Sequence, residues 1–205
     1  MKKTVISWSL AAVCCAAFLA TPAKAEVTNL AYWRGGEADS PSPSGEGQQE
    51  LNVTTVDSSG KGQDLAPMNK VGPGPVYDLS GAVQESRVSL AFDPEAANPL
   101  AGTAITTEEA NWGIQCYTSA TADGTSLISN GDGTAGGFGL MIHNNRYSGV
   151  MNGKTILEGT VTPDGNWHNV ALVNVDGTLF LYVDGVVNVQ PARWSRPGLR
   201  IPDHR

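Results

Sequence analysis

The stretch Asp164-Gly-Asn-Trp-His-Asn-Val-Ala-Leu-Val-Asn-Val-Asp-Gly-Thr-Leu-Phe-Leu-Tyr-Val-Asp-Gly-Val-Val187 decides the fold. Two apolar runs lie between three Asp-Gly pairs, at 164, 176 and 184. Val170 and Leu172, then Leu179, Leu181 and Val183, recur with a period of two, which in an extended chain puts them all on one face. Asp-Gly supplies the positive φ that a two-residue hairpin turn demands. The stretch therefore reads as a β-meander with one buried face.

The same grammar extends upstream. Leu30–Arg34 and Leu51–Val56 read as short strands separated by a Pro/Ser/Gly-rich loop through Gly47. Val76–Leu79, Arg87–Phe92, Asn111–Ser119, Ser126–Asn130, Gly137–His143, Arg146–Met151 and Thr155–Val161 follow as strand candidates. Asp-Gly at 123, 132, 164, 176 and 184 and Asn-Gly at 130 and 152 give a turn density that leaves little room for helices. The one helical start signal, Thr106-Thr-Glu-Glu109, is better read as a loop leading into the Trp112 strand. Asp-Gly-Thr recurs at 123, 132 and 176 with irregular spacing, so these are turns and not a repeat. The fold class is all-β, an antiparallel β-sandwich.

Residues 1–25 have the three parts of a secretory signal: Lys2 and Lys3, an apolar run from Val5 to Ala20, and Ala23-Lys-Ala25 before the junction. The run is shorter than the ~20 residues a spanning helix needs, so no membrane span is expected after cleavage. Val13 stands where a lipidated Cys14 would need a small neighbour, which argues against a lipoprotein. Of three cysteines only Cys116 follows the signal, so the mature chain forms no internal disulfide and relies on its core. Cys116 shares a strand face with Trp112 and Ile114, the setting of a small buried hydrophobe. Removing the signal leaves 10 basic residues against 20 acidic ones, a net charge of −10, which disfavours nucleic acid and anionic membranes. The expected destination is secreted, periplasmic or cell-surface.

Trp167-His-x-Val-Ala-Leu-Val173 followed by Asp176-Gly-Thr-Leu-x-Leu-Tyr-Val-Asp-Gly185 resembles the core of the laminin G-like jelly rolls of the concanavalin A-like lectin and glucanase superfamily. Asp57-Ser-Ser-Gly-Lys-Gly-Gln-Asp-Leu65 is similar to a pattern near the start of those modules, in the order they require. The resemblance covers most of residues 26–190 and implies one jelly-roll domain. It also implies one or more closing strands after Val187. Residues 191–205 instead hold three prolines, four arginines and no alternation, and read as an irregular basic tail. Two readings of that tail stay open, an interrupted frame near Gln190 and a functional basic tail. A sandwich lacking its last strand would offer an open edge for self-association.

Relatives in that superfamily include glucanases, whose paired carboxylates sit on one strand, but no Glu-x-Asp-x-x-Glu run occurs. Glu108 and Glu109 are adjacent and would face opposite sides of a strand. Ser129-Asn-Gly-Asp-Gly-Thr134 lacks the spacing and terminal Trp of a sialidase Asp box. His143, His168 and His204 stand without a Gly-x-Ser-x-Gly elbow, and His168 reads as packing at a strand start. Many superfamily members bind Ca²⁺; loop oxygens are plentiful here, but no Asp-x-Asp-x-Asp-Gly run gathers them, so a Ca²⁺ site stays open and zinc is disfavoured. His143-Asn-Asn-Arg-Tyr147 combines an aromatic ring with hydrogen-bonding side chains, which makes His143, Asn144, Arg146 and Tyr147 a candidate ligand site beside the plainer reading of a hairpin turn. Trp33, Trp112 and Trp167 read as core. The resulting expectation is an exported, noncatalytic module that recognises carbohydrate or an extracellular protein. A glucanase- or sialidase-like hydrolase and a truncated structural fragment of a larger surface protein are the alternatives.

Overall fold

The computed structural model describes residues 27–36, 49–50, 54–68, 75–82, 86–92, 99–105, 111–131 and 137–193. The signal segment, the loop through Gly47, the Thr106–Glu109 segment and residues 194–205 lie outside them. In chain order the strands are β1 (Gln49–Glu50), β2 (Ala66–Pro67), β3 (Val76–Asp78), β4 (Ser89–Ala91), β5 (Leu100–Ala101), β6 (Trp112–Thr118), β7 (Ser126–Asn130), β8 (Phe138–His143), β9 (Arg146–Met151), β10 (Lys154–Glu158), β11 (His168–Val175), β12 (Thr178–Val183), β13 (Val186–Val187) and β14 (Ala192–Arg193).

Local turn chemistry builds the two large sheets. Asn144-Asn145, Asn152-Gly153, Asp176-Gly177 and Asp184-Gly185 each hold both residues at positive φ, between 47° and 77°. Mirror-image turns of this kind match the twist of the strands they join. They connect β8 to β9, β9 to β10, β11 to β12 and β12 to β13. One sheet runs β10-β9-β8-β7; the other runs β13-β12-β11-β6, with β14 also paired to β12. All pairings in both are antiparallel.

The two sheets pack as a β-sandwich. Phe138, Leu140, Ile142, Tyr147, Met151 and Leu157 from one meet Val170, Leu172, Leu179, Leu181 and Val183 from the other, with Trp112, Ile114 and Cys116 packed against them. The period-two residues of the deciding stretch are thus the core, and each fully buried aliphatic side chain contributes about 1.5–3 kcal/mol. A one-residue slip would turn the whole set to solvent, so the register is strongly fixed. The sheets approach so closely at Gly149 on β9 that a Cβ there would stand 2.8 Å from Leu172 Cδ1 on β11.

Upstream of β6, pairing is sparse. Small sheets join β1-β3-β4 and β2-β5 around a second cluster centred on Tyr77 and Val88. The expected Leu30–Arg34 strand is reduced to a single bridge, Trp33 with Asp57; of the Leu51–Val56 run, residues 51–53 lie outside the described residues, and Thr55 forms a bridge with Leu65.

Downstream, two residues of the segment expected to be irregular are paired. Ala192 and Arg193 pair with Leu179 and Thr178, while Val186 and Val187 pair with Val183 and Tyr182. Between these pairs, Asn188 N–H donates to Leu181 O at 2.8 Å. Residues 186–193 therefore run along β12 as an interrupted edge strand. These pairs cover part of the outer edge of β12. The interruption has a cause: the Asn188 side chain turns aside and its Oδ1 accepts from Thr160 N and Val161 N at 2.8 and 3.4 Å.

Candidate functional site

At one end of the sandwich the β8–β9 turn carries the residues expected to bind a ligand. Asn144 Nδ2 donates to Glu158 Oε2 at 2.8 Å, Asn145 N–H donates to Asp123 Oδ1 at 3.0 Å, and Arg146 Nη1 reaches Gly159 O at 3.4 Å. Polar groups offered to a ligand on sequence grounds are here bonded within the protein. His143 is half-buried beside them, and Tyr147 is 0% exposed. Tyr147 is the cross-strand partner of the buried Ile142, and partners share a face, so its ring belongs to the core and offers no platform to a sugar. Its hydroxyl has no hydrogen-bond partner among the described residues. Burial, and then the charges of Asp164 and Asp184 and the nearby Cys116, push its pKa up to about 12.

The Tyr147 ring lies 5.7 Å from that of His168. His168 sits between two carboxylates: Nδ1 is 2.7 Å from Asp184 Oδ2 and Nε2 is 3.1 Å from Asp164 Oδ1. A carboxylate only accepts, so both contacts are hydrogen bonds when both ring nitrogens carry protons, that is, when His168 is an imidazolium. The Asp184 hydrogen bond raises the His168 pKa against the opposing effect of burial, and Asp164 adds to the rise. Backbone and side-chain donors of Asn166, with His168, hold Asp164 at about 2. His168 and the Asn169 N–H likewise lower Asp184. The arrangement ties the loop before β11 to the β12–β13 turn. Both carboxylates are held below their ordinary range, and both ring nitrogens of His168 are engaged by them within the protein. Among the described residues, no three His, Cys, Asp or Glu side chains are placed to hold a metal ion.

The Asp57–Leu65 motif is organised by its first residue. Asp57, 6% exposed, accepts from Tyr32 N, Ser59 N, Ser59 Oγ and Gln63 N at 2.7–3.1 Å. Burial raises its pKa, and these four donors more than reverse that, leaving it well below the usual carboxylate range. Asp64 Oδ1 accepts from Asp57 N in turn, and Trp33 Nε1 donates to Gln63 O at 2.7 Å. Cys116 is a half-buried free thiol whose pKa burial pushes up to about 12, far from a reactive thiolate.

The outward face of the β6-β11-β12-β13 sheet is different in kind. Because Leu179, Leu181 and Val183 point inward, Phe180 and Tyr182 point outward, with ring centroids 6.4 Å apart and planes 31° apart. Register then fixes their neighbours. Tyr182 lies beside Ala171, and Ala171 beside Gln115; Phe180 lies beside Val173, and Val173 beside Gly113; Tyr117 lies beside Asn169. Val187 flanks Tyr182. Tyr117 is 51% exposed, Val187 48% and Val175 44%. The residues of these rows are all uncharged, in a chain of net charge −7; Asp184 lies at one end and Arg193 at the other.

A comparison with protein-family models finds no match, and comparisons with curated proteins and with solved structures find none either. The candidate site therefore rests on geometry. Sequence reasoning placed the aromatic contact at Tyr147 and passed over Phe180 and Tyr182. A signal was present: in Thr178-Leu-Phe-Leu-Tyr-Val183 the positions alternating with the buried ones carry aromatic rings where a solvated face calls for polar side chains. Among the described residues no helix is long and apolar enough to cross a membrane.

Proposed function

We propose that this chain is an exported, noncatalytic binding module of the laminin G-like jelly-roll type, which holds an extracellular ligand on the outward face of its β6-β11-β12-β13 sheet. The observation that carries the reading is the uncharged outward face on which Tyr117, Val175 and Val187 are exposed and Phe180 and Tyr182 are half-exposed. An apolar patch of a few hundred Å² on a soluble domain marks an interaction surface more often than a defect. The two sequence motifs shared with the laminin G-like pattern support it differently. Asp57 and His168 direct their hydrogen bonds to loop architecture.

The test uses mature protein, residues 26–205, titrated against immobilised glycans and extracellular-matrix proteins while reducing-end release is assayed in parallel. Saturable retention without new reducing ends is the expected result. Release of reducing ends would replace the module reading with a glucanase- or sialidase-like hydrolase. Repeating the titration in EDTA and in Ca²⁺ tests the one cation the resemblance implies.

A further inference from the structure

We infer that β6 is the contact edge of a homodimer: a second copy of this chain adds its own β6 alongside, antiparallel, with the two-fold axis passing between the two Gln115 residues. The inference is independent of what the outward face holds. Among the described residues, β6 ends its sheet and pairs with β11 alone. Two hydrogen bonds fix which of its backbone groups are turned away from β11. Asn188 N–H donates to Leu181 O and Asp184 N–H to Asn169 O, so Leu181 faces β13 and Asn169 faces β12. Alternation along an antiparallel ladder then turns Val170, Leu172 and Asn174 toward β6, where Cys116, Ile114 and Trp112 bond back to them. Gly113, Gln115 and Tyr117 therefore direct their N–H and C=O groups outward, away from the sheet.

The other edges of the two large sheets are blunted, and this one is not. β10 carries Lys154, Glu158 and a register shift, β7 carries a register shift, and the β12 edge is partly covered by β13 and β14. Charges, bulges and cover are the devices that keep edge strands from pairing with another chain. Trp112-Gly-Ile-Gln-Cys-Tyr-Thr118 has no charge and no proline, and its register with β11 is unbroken. In a chain of net charge −7, an uncharged edge is where two copies approach with least repulsion. The strand also complements itself. With the axis at Gln115, Gly113 of each copy lies opposite Tyr117 of the other, and the three outward-turned residues of each copy donate and accept once, about six bonds in all. A Cβ at Gly113 would meet nothing closer than 3.6 Å and its φ is not positive, so no contact among the described residues demands glycine there. The exposed Tyr117 ring of the second copy fits over that bare position as a cross-strand aromatic–glycine pair. A seam one strand wide buries less than the ~800 Å² per partner of a standard interface, so monomer and dimer exchange with concentration. A two-fold axis perpendicular to the sheet keeps both outward faces on the same side.

The experiment is sedimentation velocity of the mature protein over a wide concentration range, with thermal unfolding to show that each variant is folded. The parent should pass from monomer to dimer as concentration rises. Gln115→Lys sets two ammonium groups opposite each other across the axis, and Gln115→Pro removes an outward N–H that the chain's own sheet does not use. Each should weaken dimerisation tenfold or more, while Val187→Lys, on the same outward face beyond β12, should not. Gln115 is exposed, so Gln115→Lys decides alone if the proline variant does not fold. Gln115→Cys tests the register, because its Cα would lie ~5.5 Å from its mate's, within disulfide reach. It should oxidise to a covalent dimer. Tyr117→Cys, whose two copies would stand four residues apart along the seam, should not. A parent that stays monomeric throughout overturns the inference. So does a dimer that survives Gln115→Lys, which must pair elsewhere, or one cross-linked through Tyr117→Cys and not through Gln115→Cys.

Discussion

At the scale of single residues, Tyr147 shows how a side chain can be misread. Its neighbours Asn144, Asn145 and Arg146 are polar, and composition alone groups it with them. The two-residue turn decides otherwise: with His143 opposite Arg146, Tyr147 must stand opposite Ile142 and share its inward face. The hydroxyl is carried into the core without a partner among the described residues. An unpaired buried hydroxyl costs about 1–3 kcal/mol. Tyr147→Phe should therefore raise stability by about 1 kcal/mol, read as a higher urea midpoint at an unchanged m-value. A lower midpoint would mean that the hydroxyl is bonded in solution. Gly159 gives the opposite case, since a Cβ there would collide with Asn188 Oδ1 and with the backbone oxygen of Tyr147. Gly159→Ala should cost about 1–3 kcal/mol by overpacking, measured in the same titration.

At the scale of elements, the strands from β6 onward were legible because long alternating runs and two-residue turns agree with one another. Trp112–Thr118, Ser126–Asn130 and Arg146–Met151 fall within or match the sequence-based spans. Before β6, β3 and β4 also fall within the expected spans Val76–Leu79 and Arg87–Phe92, whereas the two-residue strands β2 and β5 were not foreseen, because pairs that short are fixed by tertiary partners and not by local pattern. The role of His168 was also hidden, since its partners lie 4 residues before it and 16 after it. That clamp makes a pH prediction whose sign follows from its parts. His168 has a raised pKa, so its contribution is complete below its ordinary 6.5 and is lost as pH rises through the folded value. Asp164 and Asp184 are lowered, so theirs is complete above the ordinary 3.8 and is lost as pH falls toward the folded values, about 2 for Asp164. The clamp is therefore whole between pH 3.8 and 6.5. Within that window His168→Gln should lower stability by about 1 kcal/mol, since both carboxylates are half exposed and solvent screens them. A melting-temperature profile should show the variant about 2–4 °C lower at pH 5.5 and the gap closing in alkali. A gap independent of pH would mean that His168 acts by packing alone.

At the scale of the whole molecule, the sandwich depends on how its β12 edge is finished. Resemblance to the laminin G-like pattern implied a regular closing strand after Val187, and the prolines that follow seemed to forbid one. The chain resolves the conflict by pairing at both ends of a short detour. Val186 and Val187 hold one end, Ala192 and Arg193 the other, and the Asn188 side chain fastens the detour to the Thr160-Val161 backbone. Pro191 thus falls outside the paired residues, where its missing N–H costs no ladder bond. The finish is discontinuous, so its parts can be removed in order. Asn188→Ala leaves Thr160 N and Val161 N without their acceptor and should cost about 1–2 kcal/mol while unfolding stays cooperative. Ending the chain after Gly185 also strips every β13 and β14 pair from β12 and bares the edge of a strand whose inner face is the centre of the core. Backbone donors and acceptors in that position recruit other chains. The shortened protein should lose its cooperative transition and sediment as aggregate at concentrations where the parent is dispersed. If it instead melts cooperatively as a dispersed species, β12 does not need its edge strand, and the core between β8-β9 and β11-β12 is sufficient to hold the fold.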